Sequence, residues 1–515
     1  MCNYKHINIS WKRSEVIQFC SLIVVILTFI YGVFYSLLTF NTEDQVQTIF
    51  IYNSKAAEFK TSSNFLSIAL DDAVIAENFK HFDMTNEKLI KMVKHLSPAF
   101  FRVGGSGGDK MTFSLNNKTS EMIENVHSEE VVDCENPPNI TLSAHNWLKL
   151  TNFSKQTCTD LFFGLNALQR FQNGSWDYRN AELMIQFSNE NKLIVNWELG
   201  NEPNSFKHKF NQEVNASQLA EDFKTLRSIL NKHEYKESLL VGPDVTRPQD
   251  NHKESEIYLE EFVKNIGSSI NKITWHQYYL NGKTAQPKDF LDPDIFDLLK
   301  YQINKVREIT IKSNRSIWLG ETSSAYGSGA PNLSDTFIGT FIWLDKLGLA
   351  AKMGIEVVMR QSIFKGHYAL LDEKYDPNPD WWISLIYKKL VGGNVVPYYS
   401  ISNDKVRLYV HCLKNEKIKS IVIFGSNVDK IPAKVRIEGL LVNNSTPLKY
   451  IYAFQLQSTN LFSKEVYLNG KILRMLPGYE LPKILPKRES ITPYIIIPPY
   501  SLVFWVTPEI NIKAC

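Results

Sequence analysis

Residues 196–206 read NWELGNEPNSF, and residues 317–331 read IWLGETSSAYGSGAP. Each opens as an apolar β run and breaks at a glycine with a glutamate just beyond it, Glu202 in the Gly-Asn-Glu-Pro of the first and Glu321 in the Gly-Glu of the second. In a barrel of parallel strands, the residues at the carboxyl ends of the strands face the mouth. Glu202 and Glu321 would then meet there despite their distance along the chain. Two carboxyl groups across one cleft can divide proton donation from nucleophilic attack, because environment separates their pKa values. Glu198 lies on the strand itself and is the weaker candidate. Asn, Glu and Pro are also common turn residues, so the first stretch alone reads as a surface turn too. The pair carries more weight than either stretch.

Outward from these two stretches the same texture repeats. Strand-like runs at 65–70, 99–103, 161–165, 193–199, 239–241, 273–279 and 316–319 alternate with helical stretches at 87–95, 180–191, 220–232, 257–266, 294–309 and 336–347. That alternation predicts an α/β protein with a parallel sheet, and the chain's 515 residues make a closed (β/α)8 barrel the leading form. After Gly392 and Gly393 the pattern changes. Short alternating runs at 406–412, 420–424, 433–437, 450–455, 494–497 and 502–506 predict an all-β sandwich. A strand-like run at 46–52 precedes the barrel and is expected to join that sandwich. The expected division is a barrel over 63–392 and a sandwich over 393–515, with 41–62 as a lead-in segment.

Residues 16–40 carry no charge and are mostly apolar. As a helix they would span roughly 37 Å, enough to cross a bilayer. Lys5, Lys12 and Arg13 precede the run, while Glu43 and Asp44 follow it. That asymmetry places residues 1–15 in the cytosol and the bulk of the chain outside it. The run is long for a cleavable signal and its end shows no clear small-residue site, which favours an uncleaved signal anchor. Sequons at Asn117, Asn139, Asn152, Asn173, Asn215, Asn314, Asn332, Asn443 and Asn444 agree with export. So do Cys134, Cys158, Cys412 and Cys515, an even number beyond the apolar run whose spacing permits three pairings. No zinc spacing is present, and neither a metal nor an organic cofactor is implied. The net charge of +3 gives no reason to expect a nucleic-acid partner. The 10 Trp, 23 Tyr and 30 Phe suit sugar rings, but they also fill ordinary cores.

Longer stretches are more specific. LSPAFFRVGG (96–105), DLFFGLNAL (160–168), WELGNEPNSF (197–206), ITWHQYYLNG (273–282), LGETSSAYGSGAP (319–331), the run 333–361 and PNPDWWISLIYKKLVG (377–392) together resemble glycoside hydrolase family 79. The likeness runs from about residue 45 to the C-terminus. It implies a retaining endo-β-glucuronidase that cuts heparan sulfate, in lysosomes or the extracellular matrix, with Glu202 as proton donor and Glu321 as nucleophile. By the same resemblance Asn201 would hydrogen-bond the sugar 2-hydroxyl. Asp71, His276, Tyr278 and Gln361 match site positions, and Tyr326, Gly327 and Tyr368 match contacts to the uronate carboxylate. His276 alone also reads as a buried structural histidine. Arg102 would support the barrel floor. The resemblance also implies the disulfides Cys134–Cys158 and Cys412–Cys515. The glycine-rich stretch at 104–108 lacks the Gly-Lys-Ser/Thr ending of a phosphate loop and reads as a strand-to-helix connection.

Two departures from the family stand out. The stretch between Arg102 and Leu161 is shorter than the family's, where an excised linker lies, so activity as one uncut chain is expected. The segment GPDVTRPQDNHKE (242–254) keeps Arg247 and Lys253 but has Gln249 and Asp250 where the family is basic. Sulfates call for Arg and Lys. Lys149 and Lys155 would supply the other wall, or are plain surface. Competing readings are an exo-acting β-glucuronidase on short glucuronides and a non-catalytic binder of heparan sulfate.

Overall fold

The computed structural model describes residues 46–116, 139–249, 252–415, 417–442, 446–510 and 512–515. The expected cytosolic segment and anchor, Cys134 and Asp250 lie outside these residues. Among the described residues no helix is long and apolar enough to cross a membrane.

Eight parallel strands form a barrel: β1 (Leu66–Asp71), β2 (Ala99–Gly104), β3 (Thr159–Leu165), β4 (Asn196–Leu199), β5 (Val241–Val245), β6 (Lys272–Asn281), β7 (Ile317–Tyr326) and β8 (Val357–Arg360). β8 pairs back onto β1 through Val358 and Leu66, and a Trp197–Leu240 bridge joins β4 to the approach to β5, so the ring closes. Eight helices return the chain: α1 (Glu87–Lys94), α2 (Ala144–Thr157), α3 (Arg179–Glu190), α4 (Ala216–Lys232), α5 (Glu254–Asn265), α6 (Pro293–Thr310), α7 (Gly339–Lys352) and α8 (Pro379–Leu390). Several begin on side-chain caps that the sequence supplies. Asn86, Ser143 and Asn215 each accept a backbone N–H of the first turn, satisfying a donor that the helix leaves open.

The barrel interior is a filled core with one open end. Phe100, Phe162, Val241, Trp318, Val357 and Met359 pack together near the amino ends of five strands. Phe100 stacks on Trp318 at 5.2 Å and meets Phe162 edge-on at 5.0 Å. Side chains alternate across a strand, so two residues beyond Phe100 the same face of β2 carries Arg102. The apolar plug thus gives way to a buried polar layer, and chemistry is confined to the carboxyl ends.

The sandwich rests on α7 and α8. Its larger sheet runs through Val406–Leu413, Ile421–Asn427, Ser501–Val506 and Tyr450–Gln457. Its smaller sheet has the order Tyr398–Ile401, Gln47–Ile51, Ala433–Glu438, Ile495–Ile497. The N-terminal strand therefore sits inside a sheet otherwise built from the C-terminal part of the chain, antiparallel to one neighbour and parallel to the other. Cys412 and Cys515 form a disulfide that ties the C-terminus to this unit. The other expected bridge involves Cys134, which lies outside the described residues. Cys158 is a free, exposed thiol that ends α2 in the left-handed conformation, φ 55°.

Candidate active site

Glu202 follows the end of β4, where Pro203 starts a short turn of helix. Its backbone has φ 53°, a left-handed conformation that a residue with a side chain adopts at a cost, and its N–H donates to the Asp244 carbonyl at 3.1 Å. This geometry turns the carboxyl into the barrel mouth. Glu321 sits within β7 and is buried. The Tyr278 hydroxyl donates to its Oε1 at 2.6 Å, and Arg102 Nη1 donates to its Oε2 at 2.8 Å. The preceding Gly320 has a reason to be glycine, since a Cβ there would lie 2.5 Å from Asp244 Oδ1.

One imidazole joins the two carboxyl groups. His276 Nδ1 lies 3.1 Å from Glu202 Oε1 and 4.0 Å from Glu321 Oε2. Its Nε2 is 3.3 Å from Asp244 Oδ1, an ion-pair distance without hydrogen-bond alignment. Burial disfavours charge on His276, but Glu321, Asp244 and Glu202 outweigh it and push its pKa up to about 10. Burial likewise opposes ionisation of Glu202. Lys209, with Nζ 2.6 Å from Oε2, and His276 overcome that and hold the carboxyl well below the ordinary glutamate range. Burial opposes charge on Lys209 too, and its contact with Glu202 prevails and raises its pKa.

A second layer fixes these groups. Arg102 is buried and spreads its guanidinium over three partners: Nε to Glu198 Oε2 at 2.8 Å, Nη1 to Glu321, and Nη2 to Asn201 Oδ1 at 3.0 Å. Burial drives Glu198 up to about 7 against the pull of Arg102. The Asn201 N–H donates to Asp109 Oδ2 at 2.8 Å. Asp109, pushed up to about 7 by burial, also accepts the Ala167 N–H. The glycine-rich stretch wraps a carboxylate: Gly107 and Gly108 donate their N–H groups to Asp72, and a Cβ on Gly107 would meet Asp72 Oδ1 at 2.7 Å.

The cleft over this layer holds about 670 Å³. Of the residues singled out from sequence, Asp71, Asn201, Glu202, Arg247, His276, Tyr278, Glu321, Tyr326, Gly327 and Tyr368 line it. Tyr368 stacks on Tyr278 with ring centroids 6.4 Å apart. Gln361 is buried behind the surface and donates to Asp71 Oδ2 at 2.8 Å. Burial raises Asp71 to about 6. Lys253 is exposed at the start of α5 and is not among the lining residues, and Lys149 and Lys155 stand exposed on α2. None of the three is among the residues that line the cleft: Lys149 and Lys155 lie on α2 and Lys253 caps α5. Arg247 does line it, but donates to the Tyr278 carbonyl at 2.6 Å and lies over the Tyr326 ring. Sequence reading missed Lys209, Asp244, Asp72 and Asp109. Only Lys209 left a trace, as part of the basic run KHK just past Pro203.

Comparison with known proteins agrees with this geometry. Residues 73–348 match the family described as glycosyl hydrolase family 79, N-terminal domain. The chain is 35% identical to heparanase of Bos taurus, over 88% of its own length and 90% of that protein's. It is 31% identical to a hyaluronoglucuronidase of Hirudo nipponia, over 88% and 96%. A crystal structure of a 4-O-α-L-rhamnosyl-β-D-glucuronidase from Fusarium oxysporum 12S shares the fold, with TM-score 0.67, 14% identity, and coverage of 89% of this chain and all of that one.

Proposed function

The chain belongs to glycosyl hydrolase family 79, and we propose that it is a retaining endo-β-glucuronidase that cuts heparan sulfate chains of proteoglycans. The observation that carries the mechanism is the pair of glutamates sharing one imidazole nitrogen at 3.1 and 4.0 Å. Two carboxyls that converge on one atom suit a donor and a nucleophile acting on one glycosidic bond, and the retaining course is proposed from the family resemblance. Glu321 attacks the anomeric carbon as Glu202 protonates the leaving oxygen. Glu202 then takes a proton from water, which releases the sugar from Glu321. Tyr278 and Arg102 each hold one oxygen of Glu321 and fix its line of attack. Asn201, beside the acid, is assigned to the 2-hydroxyl, with its amide oxygen kept by Arg102. Tyr326, Gly327 and Tyr368 are assigned to the uronate carboxylate. We place the enzyme in the secretory pathway, held by its N-terminal apolar segment and acting as one uncut chain.

A second reading changes the polymer and keeps the chemistry. Of the two long cationic side chains that line the cleft among the described residues, Lys209 is paired with Glu202 and Arg247 with Tyr278. Gln249 lines it at a position where a base was expected. Few cations are thus left for sulfates, which favours a sparsely sulfated glucuronide polymer. The deciding measurement is reducing-end formation and product size from heparan sulfate and from hyaluronan, for the native enzyme and Glu321→Gln. Mid-chain cleavage of heparan sulfate by the native enzyme alone supports the first reading. Cleavage of hyaluronan alone moves the substrate to the second. Cleavage by Glu321→Gln at the native rate would overturn the mechanism.

A further inference from the structure

The group assigned as the acid is held in a form that cannot donate. Lys209 Nζ sits 2.6 Å from Glu202 Oε2 and 3.0 Å from Ser106 Oγ, on the one-turn helix Phe206–Phe210 that follows the Glu-Pro break. The contact is inside the barrel mouth, yet the lysine side chain keeps 19% exposure and lines the cleft. A lysine stem is flexible and its ammonium is a point charge that can change partners. An ammonium on the acid also lies within a sugar's reach of the leaving oxygen.

We infer that Lys209 is a positioning residue that switches Glu202 on: in the free enzyme its ammonium keeps the carboxylate ionised, and an anionic substituent on the leaving-side sugar draws the ammonium away. Glu202 then takes one proton from solvent. Lys209 keeps its three protons and directs their hydrogen bonds to the sulfate or carboxylate in place of Glu202 and Ser106. The inference rests on the acid role of Glu202 and adds to it a substrate requirement: negative charge on the leaving side.

The surroundings support a switch at Lys209 rather than elsewhere. His276 and Tyr278 from β6, Asp244 from β5, Arg247 beyond it and Glu321 from β7 face Glu202, while Arg102 reaches it through Asn201 and Asp109 acts on Lys209. Arg102 is enclosed among three acceptors, and His276 is fully buried between Glu202 and Asp244. Arg247 is engaged on Tyr278 and Tyr326. Lys209 and His276 both touch Glu202 and line the cleft, but His276 is locked in place with 1% exposure, whereas Lys209 is a flexible side chain with 19%.

The test is the pH dependence of turnover between about pH 4 and pH 8, because the acid's pKa sets the alkaline limb. The substrates are a sulfated heparan oligosaccharide, its desulfated N-acetylated counterpart, and β-glucuronyl fluoride, whose leaving group needs no acid. The free enzyme governs kcat/KM and the complex governs kcat. For the native enzyme the alkaline limb of kcat should lie at higher pH on the sulfated oligosaccharide than on the desulfated one. In Lys209→Met the limb of kcat/KM should rise by about one pH unit or more, with Lys209→Arg close to native. Identical limbs for the two oligosaccharides on native enzyme, or an unmoved limb in Lys209→Met, would overturn the switch. Glu202→Gln separates the premise: if it lowers kcat/KM on the fluoride as much as on the oligosaccharides, Glu202 is not the acid, whatever Lys209 does.

Discussion

At the scale of the residue, the nucleophile's two oxygens have different keepers, and they should fail differently. Tyr278→Phe removes one donor to Glu321 and leaves the ring that stacks on Tyr368. A hydrogen bond to a charged group contributes about 1.5–3 kcal/mol, so kcat should fall on the order of 10- to 100-fold with KM little changed. Steady-state kinetics on an aryl glucuronide checks this, and a native kcat would show that Arg102 alone suffices. Glu202 and Glu321 were legible because a glutamate one or two residues past a glycine at a strand's end is a local pattern. Lys209, Asp244 and Asp109 were not, because their roles appear only when separate strand ends converge on one imidazole and one guanidinium. Lys253 misled in the opposite direction: its segment of sequence pointed to the cleft, but helix α5 begins there and leaves it exposed.

At the scale of the element, α7 carries most of the contact between barrel and sandwich. All but the last of its residues are buried, since it is covered on one side by the barrel and on the other by the sheet. Asp345 of α7 accepts from Arg407 Nε and from the Tyr409 hydroxyl, both at 2.7 Å, and Arg407 also reaches Asp297 of α6. Removing one side of a buried pair leaves the other charge stranded, so Asp345→Ala should cost about 3–5 kcal/mol, read by denaturant unfolding. Cys515→Ser should be milder. It opens a loop of 103 residues and should cost roughly 2–5 kcal/mol without changing glycosidase kinetics. A change in kcat would mean that the sandwich reaches the cleft. The same burial explains what sequence reading saw poorly. Surface helices such as α3 and α6 show an apolar stripe, whereas α8 is buried nearly all round and has no polar face to mark its period. The four residues of β8 are too few to show alternation. The sandwich strands were plain because turn residues bound short β-branched and aromatic runs, even where, as in Ile421–Asn427 and Ser501–Val506, every position is buried.

At the scale of the whole molecule, the buried carboxyls set how stability follows pH. Burial raises Asp71 to about 6 and Glu198 and Asp109 to about 7, all above their unfolded values near 4. A group whose pKa rises on folding lends stability that is complete below the unfolded pKa and is lost as pH climbs through the folded one. The three therefore favour the folded state at about pH 4–5 and cease to do so by about pH 7. Glu202 runs the other way: its lowered pKa lends stability above about pH 4 that is lost only on stronger acidification. The carboxylates near the surface with lowered pKa values, exposed Asp83 and partly exposed Asp177, are screened by solvent and contribute little. The protein should thus melt at a higher temperature near pH 5 than near pH 7.5. Glu198→Gln isolates one member of the trio. The amide oxygen can still accept from Arg102, and the amide nitrogen replaces Oε1, which is buried without a hydrogen-bond partner among the described residues. That variant should lose less melting temperature between pH 5 and pH 7.5 than the native protein does. Equal losses in thermal melts would mean that Glu198 stays ionised beside Arg102 across the range, and that the buried layer is a salt bridge at every working pH.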